Sequence, residues 1–430
     1  MKQLVFMVCA FWASTVLASP RLGLNFVRYH WERPGETARS VADLNGDLDR
    51  LGADAMRQFI RADLVWRDVE PQNNAWDFER ADEILNAPPV VPVVTLFSLQ
   101  YASGTPPWDQ GPGAFRPIMG LHAKDYVETV VKRYADKVQY WEIGNEMDHW
   151  RSADPGDRNR APGRRPPHSP PGGFTPEQQG KFVADVARLI REHDPDAVIL
   201  MPGMAGLSPY VLETWLPGFV RGAGTDAFDV VSYHFYGDWT SLSERRKRLA
   251  KVLAEQGLAD KPVWLTETGS SSDGSLRTRS KQVGSPAQQA ADVFRRSLIA
   301  WGNGDQAVFW HAHMSSPNRP NNRWRGYGLR DSEGKKKPAY AAFQLLSEHI
   351  APFASIAPVE GLKAGQYGYH IKLESGPHRW VYWGSGTAPA PMDPAAKGYA
   401  SVVPGEDGRH AWRAVPDELV LSDVPFILRN

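Results

Sequence analysis

Cysteine is almost missing from this chain, since Cys9 is the only one among its 430 residues. A protein of this length with an ordinary apolar fraction can bury a core large enough to be stable without disulfides. We therefore expect a chain that folds on its core alone, as one large domain or as two unequal ones.

An excess of one charge sign is missing too, because 49 lysine and arginine residues balance 49 aspartate and glutamate residues. This balance argues against a protein whose main partner is nucleic acid or another polyanion. Long apolar runs are also lacking. No segment beyond the N-terminus approaches the roughly 18 apolar residues that a membrane span requires, so we expect no integral membrane segment in the mature protein.

The N-terminus has the features of an export signal. Lys2 supplies a positive start, an apolar run too short to span a bilayer follows, and small residues lead to Ala18 as a cleavage site. Cleavage there would remove Lys2 and Cys9 and leave 48 basic against 49 acidic residues, a net charge of −1. We therefore predict a signal peptide over residues 1–18 and a periplasmic or secreted protein.

Eight short apolar runs predict β-strands in the part of the chain that follows. Most of them are apolar throughout rather than alternating, which is typical of strands covered on both faces. They are residues 22–27, 54–60, 90–97, 138–144, 197–203, 228–235, 262–267 and 306–312.

Helical segments separate these runs. Apolar residues recur at helical spacing over 123–137, and 241–256 and 338–350 are further helices. Thr175 to Gln178 and Ser285 to Gln288 each combine an N-cap hydroxyl, a proline and a glutamine, which predicts a helix start. Eight strands alternating with about eight helices predict a (β/α)₈ barrel over residues 19–350. The alternative, an open doubly wound sheet, is disfavoured because no G-x-G-x-x-G follows the first strand.

After about residue 351 the pattern becomes one of alternation, with apolar positions at Tyr367, Tyr369, Ile371 and Leu373. This predicts a small antiparallel, β-sandwich-like domain over 351–430, packed on the barrel. Residues 151–174 are rich in proline and glycine and have no periodicity, so they are predicted to be a long loop after the fourth strand.

Two glutamates stand where apolar runs end: Glu146 in "YWEIGNE" and Glu267 in "PVWLTE". The C-terminal ends of barrel strands meet at one mouth, so both carboxyls are expected to face the same cleft. Cleavage of an acetal needs such a pair, an acid for the departing oxygen and an anion for the cationic carbon. We expect Glu146 to have a raised pKa and to give a bell-shaped rate profile. Glu142, in mid-strand, is expected to be an interior polar residue with a partner.

The segments "WEIGNEMD" and "WLTETG" resemble the fourth- and seventh-strand motifs of the retaining glycoside hydrolases of clan A. Residues 51–82 are similar to the second-strand signature of family 39 and its neighbours, with a glycine, an arginine five residues on and then W-x-x-x-E-P. The resemblance runs from residue 22 to about 350. It implies a retaining hydrolase of β-glycosidic bonds that needs no metal or cofactor. Because the predicted signal peptide would bring the protein to where polymers are, we expect its substrate to be an extracellular or cell-surface polysaccharide or oligosaccharide.

Carried over position by position, the resemblance implies that Glu146 is the acid/base and Glu267 the nucleophile. Asn145 would then hydrogen-bond the sugar 2-hydroxyl. The remaining positions implied to bind substrate or to support the nucleophile are Arg57, His234, Tyr236 and Trp310, the last as the aromatic floor beneath the sugar. The chain departs from many members at Gly144, where they carry a tryptophan, so the pocket floor is expected to differ.

Three other interpretations stay open at this stage. His311 and His313 have the spacing of two zinc ligands on one strand face. A barrel that binds polysaccharide without cleaving it would share the fold, and a transglycosylase would share the carboxylate pair. Exposed tryptophans in strand-end loops could bind sugar rings, the candidates being Trp108, Trp150 and Trp324.

Overall fold

The computed structural model describes ten stretches of the chain. They are residues 21–28, 41–60, 64–97, 106–109, 121–149, 175–274, 284–315, 325–387, 396–416 and 418–430. The predicted signal peptide, the predicted loop 151–174, Trp150 and Trp324 lie outside these ranges.

Eight parallel strands form one sheet, as the apolar runs predict. Around the sheet their order is β5-β4-β3-β2-β1-β8-β7-β6, and parallel bridges such as Leu200 to Val230 and Met204 to Tyr233 connect β5 to β6 and close the ring. The (β/α)₈ barrel is thereby confirmed. The strands are β1 Leu22–Arg28, β2 Ala55–Ile60, β3 Val91–Leu96, β4 Tyr140–Ile143, β5 Val198–Leu200, β6 Val231–Phe235, β7 Val263–Thr268 and β8 Ala307–His311.

Helices surround the barrel. Thr175 accepts a hydrogen bond from the Gln178 amide and Gln178 returns one to the Thr175 amide, so the predicted capping box starts α5. The Ser285 hydroxyl accepts a hydrogen bond from the Gln288 amide and caps the start of α8. The helices are α1 Val41–Leu51, α2 Trp66–Val69, α3 Glu79–Leu85, α4 Leu121–Tyr134, α5 Pro176–His193, α6 Leu216–Ala223, α7 Leu242–Glu255, α8 Pro286–Gly302 and α9 Pro338–His349. None of the helices in the described part of the chain has the length and apolarity of a membrane span.

Two apolar layers cover the two faces of the barrel sheet. A large layer fills the space between strands and helices, and a smaller one fills the barrel interior. The interior layer consists of Ala55, Val93, Tyr140, Leu200, Val230, Trp264, Ala307 and Phe309. This layer fills the barrel below its mouth. A ligand can therefore reach only the polar side chains at the C-terminal ends of the strands.

A buried polar cluster connects α1 to the last part of the barrel in sequence, the segment after β8 and the start of α9. The Asp47 carboxylate accepts hydrogen bonds from His313 Nε2 at 2.8 Å, Arg330 Nε at 2.7 Å and the Tyr340 hydroxyl at 2.7 Å. Burial alone would raise the pKa of Asp47, but these donors outweigh it and hold that pKa well below its ordinary value. The network fixes α1 against β8 and α9.

We expect Asp47→Asn to destabilise the fold by about 3 kcal/mol near neutral pH, because it leaves Arg330 in a buried site without its anion. Since the folded pKa of Asp47 is depressed, its contribution is present above the unfolded value near 4 and lost as pH falls through the folded pKa. The wild-type advantage in urea unfolding should therefore shrink in acid. Asp49→Asn, on the exposed side of the same helix, is the control. Equal stabilities at neutral pH would contradict this account.

The C-terminal region forms a separate antiparallel sheet, in the order β12-β13-β11-β10-β9. Its strands are β9 Phe353–Pro358, β10 Gln366–Leu373, β11 His378–Gly384, β12 Gly398–Ser401 and β13 Phe426–Arg429. One face packs on the barrel: Trp383 meets Trp239 with ring centroids 6.1 Å apart, and Trp301 of α8 meets Phe353 at 5.3 Å. Over the described residues this is one sheet backed by a barrel helix, whereas a sandwich has two sheets.

Candidate active site

The backbone turns sharply where β4 ends, and this turn presents Glu146. Gly144 has a φ of 84°, and a β-carbon there would lie 2.9 Å from the sulfur of Met147. Glycine is therefore required at this position. Glu146 itself has a φ of 49°, a strained value for a non-glycine residue, and its amide bonds the Gly203 carbonyl at 2.9 Å.

Glu146 and Glu267 come together at the barrel mouth, as the strand-end argument predicts. One carboxylate oxygen of each, together with a ring nitrogen of His234, form a set of atoms within 4.8 Å of one another. Carboxyl groups about 5–5.5 Å apart are typical of retaining glycosidases, and inverting enzymes need about 6.5–9.5 Å. The two side chains differ in exposure, at 30% for Glu146 and 9% for Glu267.

Arg57 of β2 contacts four polar side chains of the site. Its buried guanidinium donates to Glu142 at 2.7 Å, to Glu267 at 2.8 Å, to Asn145 at 2.9 Å and to Asn25 at 3.0 Å. Burial alone would lower the pKa of Arg57, but the two carboxylates outweigh it and raise that pKa above its ordinary value. The cation therefore stays charged and is shared by the two buried carboxylates.

Glu142 is the partner of Arg57 that lies deepest in the barrel interior. It is fully buried, and besides Arg57 it accepts a hydrogen bond from the Thr95 hydroxyl at 2.8 Å. The prediction that Glu142 is an interior polar residue with a partner is confirmed. Its role is to orient the guanidinium, which in turn holds Glu267 and Asn145.

Glu267 is held as an ionised carboxylate. One oxygen accepts from Arg57, and the other accepts from the Tyr236 hydroxyl at 2.7 Å. Burial alone would raise the pKa of Glu267, but His234 and Arg57 outweigh it and keep that pKa below its ordinary value. The arrangement gives an anion fixed at both oxygens in a site that is almost closed to water.

Glu146 contacts two histidines. His234 Nδ1 lies 2.9 Å from one oxygen and, because a carboxylate only accepts, it must donate; His149 Nδ1 lies 3.4 Å from the other oxygen. Burial alone would raise the pKa of Glu146, but the bonds from His149 and His234 hold it well below its ordinary value. The expectation of a raised pKa for Glu146 is therefore wrong.

Trp310 does not face the site. Its side chain is 1% exposed and belongs to the layer between strands and helices, because alternate residues of β8 point to opposite faces. The prediction that Trp310 forms the floor beneath the sugar is therefore wrong. The next residue, His311, points inward instead: Asn25 Nδ2 lies 3.1 Å from its Nδ1, and its ring meets that of Tyr236 edge-on at 5.8 Å.

The proposed histidine pair does not form a common ligand set. His311 contacts Asn25 inside the barrel, whereas His313 contacts Asp47 next to α1. Trp108, the one candidate platform among the described residues, bonds the Glu70 carbonyl through its ring nitrogen at 3.0 Å and packs edge-on against Trp66.

Sequence reasoning missed three residues of the site. Asn25 interrupts an apolar strand, the same signal that drew attention to Glu142. His149 follows Glu146 by three residues, which places it beside Glu146 once the chain turns. Asp148, also missed, is buried next to this turn and bonds the Ala205 amide at 2.9 Å; burial raises the pKa of Asp148 to about 6.

Comparison with known proteins agrees with this geometry. A family model described as the glycosyl hydrolase catalytic core matches residues 175–340, which include Glu267. The fold is similar to that of a family 39 glycoside hydrolase from Bacteroides cellulosilyticus, with a TM-score of 0.66, 16% identity, and coverage of 95% of this chain and 81% of that one. It is also similar to an α-L-arabinofuranosidase from Thermotoga maritima, with a TM-score of 0.59, 12% identity and 96% coverage of both chains.

A curated relative is similar over a shorter stretch. Endo-1,4-beta-xylanase B of Paenibacillus barcinonensis is 31% identical over 88 residues, which is 19% of this chain. The match spans about a quarter, 26%, of that relative's length.

The (β/α)₈ barrel is thus similar in fold to glycoside hydrolases, among them one of family 39, and a part of it matches the glycosyl hydrolase catalytic core.

Proposed function

We propose that this protein is a retaining β-glycosidase that uses Glu267 as nucleophile and Glu146 as acid/base. The observation that carries the proposal is the pair of carboxylates with oxygens within 4.8 Å of each other, one fixed as an anion by Arg57 and the other more exposed. That closeness is in keeping with the spacing of retaining rather than inverting glycosidases, so direct attack by the carboxylate is favoured.

In this mechanism Glu267 attacks the anomeric carbon and forms a glycosyl ester while Glu146 gives its proton to the leaving oxygen. Water then adds to the same carbon, Glu146 takes its proton, and the ester bond breaks to release the sugar with its configuration retained. Asn145, held by Arg57, is placed to bond the sugar 2-hydroxyl beside these two carboxylates.

The proton for the first step has a local source. His234 Nδ1 donates to Glu146 across 2.9 Å, and a doubly protonated His234 that passes this proton to the carboxylate becomes a neutral imidazole. A substrate that covers the 30% exposed Glu146 excludes water and disfavours its ionised form.

For the substrate we propose β-linked polysaccharide or oligosaccharide outside the cytoplasm. The predicted signal peptide supports that location, and the similarity to a β-1,4-xylanase over 88 residues supports a β-linked chain. A mere binding barrel would have no need of an anion fixed at both oxygens next to a second carboxylate.

The test follows the product's anomeric configuration by proton NMR on 4-nitrophenyl β-glycosides of glucose, xylose and mannose. We expect the β-anomer to accumulate first and then to mutarotate, with the rate unchanged by excess EDTA. The Arg57 guanidinium, which bonds Glu267, repels a divalent cation from the oxygens of Glu146 and Glu267 and from the ring nitrogen of His234. We therefore expect the reaction to need no metal. First formation of the α-anomer would rule out double displacement, and loss of activity to EDTA would favour a metal enzyme.

We expect Tyr236→Phe to lower kcat by about 10- to 100-fold, because a hydrogen bond to a charged group contributes about 1.5–3 kcal/mol. Loss of this donor also raises the pKa of Glu267, which must be ionised to attack, so the acid limb of the rate profile should move to higher pH. Tyr399→Phe, in the C-terminal sheet, is the control. An unmoved acid limb would show that Tyr236 does not support the nucleophile.

A further inference from the structure

A serine and a lysine meet in the loops at the barrel mouth, in a place that the glycosidase mechanism does not use. Ser272 follows β7, and Lys337 directly precedes α9. The Lys337 Nζ atom lies 3.1 Å from the Ser272 hydroxyl oxygen and donates to the Gly326 carbonyl at 2.8 Å. Both residues are partly exposed. A distance of about 2.6–3.2 Å between a hydroxyl and a base that a third group orients is typical of an activated nucleophile.

The surroundings of Lys337 favour its neutral amine. Its two hydrogen-bond partners are a hydroxyl and a carbonyl, neither of which carries a charge. Burial lowers the pKa of Lys337 to about 7, although Asp331 opposes this, and Asp273, next to Ser272, is paired with Arg325 at 2.6 Å. Lys337 also stands at the N-terminal end of a helix of 12 residues, where a positive charge is unfavourable. Much of the amine is therefore unprotonated near neutral pH and can accept a proton.

The Gly326 carbonyl has more donors than it can accept. Four reach it: the Ser272 amide at 3.0 Å, the Gln289 side-chain amide at 2.9 Å, Lys337 Nζ at 2.8 Å and the Ser272 hydroxyl at 3.2 Å. A carbonyl oxygen has two lone pairs, so the longest of these bonds is the one most easily given up. Once Lys337 is neutral, the Ser272 hydroxyl can turn its hydrogen to Nζ while Nζ still donates to Gly326. This is the arrangement of a general base that can deprotonate a serine.

The Ser272 and Lys337 pair lies on the same side of the barrel as the two carboxylates. Ser272 comes after the C-terminal end of β7, the strand that bears Glu267. Gly326 precedes Tyr327, whose ring meets that of Tyr236 at 5.9 Å, and the Tyr236 hydroxyl bonds Glu267. A saccharide that carries an acyl group can therefore present its ester to Ser272 from the mouth of the barrel.

We propose that Ser272 and Lys337 form a second catalytic site, a serine–lysine dyad that transfers small acyl groups from carboxylic esters to water. Ser272 Oγ attacks the ester carbonyl carbon and gives its proton to Lys337 Nζ. The tetrahedral intermediate then breaks its bond to the leaving oxygen, which takes that proton from Nζ and departs as an alcohol. Water adds to the Ser272 acyl ester with Lys337 again as base, and a carboxylic acid and the free hydroxyl are released. This activity is separate from the cleavage of glycosides by Glu146 and Glu267.

The test follows acylation of Ser272 by 4-nitrophenyl acetate and by a fluorophosphonate that labels activated serines. We expect a burst of 4-nitrophenol and, by mass spectrometry, an acetyl group on the peptide that contains Ser272. The rate should rise as pH passes the pKa of Lys337, about 7, because only the neutral amine accepts the proton. Ser272→Ala should lose the label and at least a hundredfold in rate, since general-base catalysis contributes about 10²–10⁴-fold. A label on another residue would overturn the dyad.

Lys337→Arg separates a base from a structural contact. Arginine can still donate to Ser272 and Gly326, but it does not give up its proton, so acylation should fall at least a hundredfold while urea unfolding stays close to that of wild type. Lys335→Met, at an exposed position of the same loop, is the control and should leave acylation unchanged. A second variant, Lys337→Ala, should regain fluorophosphonate labelling when propylamine is added, because the amine replaces the missing base. Acylation that survives in Lys337→Arg, or no recovery with propylamine, would contradict the proposal.

Glycoside cleavage serves as the internal reference for these variants. Ser272→Ala and Lys337→Arg should keep kcat/KM for β-glycosides within about twofold of wild type, because sites without shared partners act independently. Parallel loss of glycoside cleavage and acylation would show a single site and overturn the dyad. If wild type cleaves no β-glycoside while Ser272 is still acylated, the proposed glycosidase function fails and the dyad stands.

Discussion

Glu267→Gln should lower kcat by about 10⁴-fold or more on every β-glycoside that the wild type cleaves. Glutamine keeps the shape of the side chain and can still accept from Arg57, but it has no anion to attack the anomeric carbon. Losses of this size are typical when a covalent nucleophile is removed. Substrate affinity should be retained, because the contacts of Asn145 and of the rest of the pocket are unchanged.

Azide assigns the two carboxylates to their roles. In Glu267→Ala an added azide can occupy the space of the nucleophile and attack directly, giving an α-glycosyl azide from an activated β-glycoside. In Glu146→Ala the ester still forms when the leaving group is dinitrophenolate, and azide then replaces water to give the β-glycosyl azide. Product NMR identifies the anomers. Exchange of the two products would reverse the assignment of Glu146 and Glu267, and the absence of rescue together with full activity in Glu267→Gln would end the proposal.

Arg57→Met should destabilise the protein by about 3–5 kcal/mol and leave almost no activity. Removing one partner of a buried ion pair leaves the other charge uncompensated. Here two buried carboxylates, Glu142 and Glu267, lose their common cation. Urea unfolding monitored by tryptophan fluorescence would measure the loss.

The pH dependence of stability distinguishes a loss of charge from a loss of packing in Arg57→Met. Arg57 helps His234 to keep the folded pKa of Glu267 depressed against burial, so its removal moves that pKa upward. A raised carboxyl pKa costs stability at high pH and restores it as the group protonates, so the variant should gain stability relative to wild type as pH falls. Glu142→Gln added to Arg57→Met should recover part of the loss. A deficit that is independent of pH and of Glu142 would show that packing, not charge, explains it.

The fold was predictable because its signals are local. Eight apolar runs with helical segments between them specify a barrel, and the N-cap residues Thr175 and Ser285 mark helix starts where the structure has them. The positions of Glu146 and Glu267 follow from the same logic, since a charged residue ending an apolar run must lie at a strand end. Bringing them together required only the rule that parallel barrel strands end at one mouth.

The features of the site that the sequence does not predict are those that depend on the direction in which side chains point. Trp310 and His311 are neighbours in sequence, and only the register of β8 against β1, with Trp310 beside Leu24 and His311 beside Asn25, decides which one faces the pocket. The ionisation of Glu146 depends on His149 and His234, which approach it from its own turn and from β6. Pairwise contacts between distant elements carry no pattern in a single sequence.

The packing of the C-terminal sheet has a consequence for the ancestry and engineering of this protein. Trp239 follows Tyr236 by three residues and contacts Trp383 and Tyr367 of the sheet on one side and Arg295 of α8 on another. The loop that bears Tyr236 is thus braced by residues more than a hundred positions further along the chain. Replacing this sheet by that of a relative would change the geometry around the reacting carbon. Barrel and sheet are therefore expected to have diverged together.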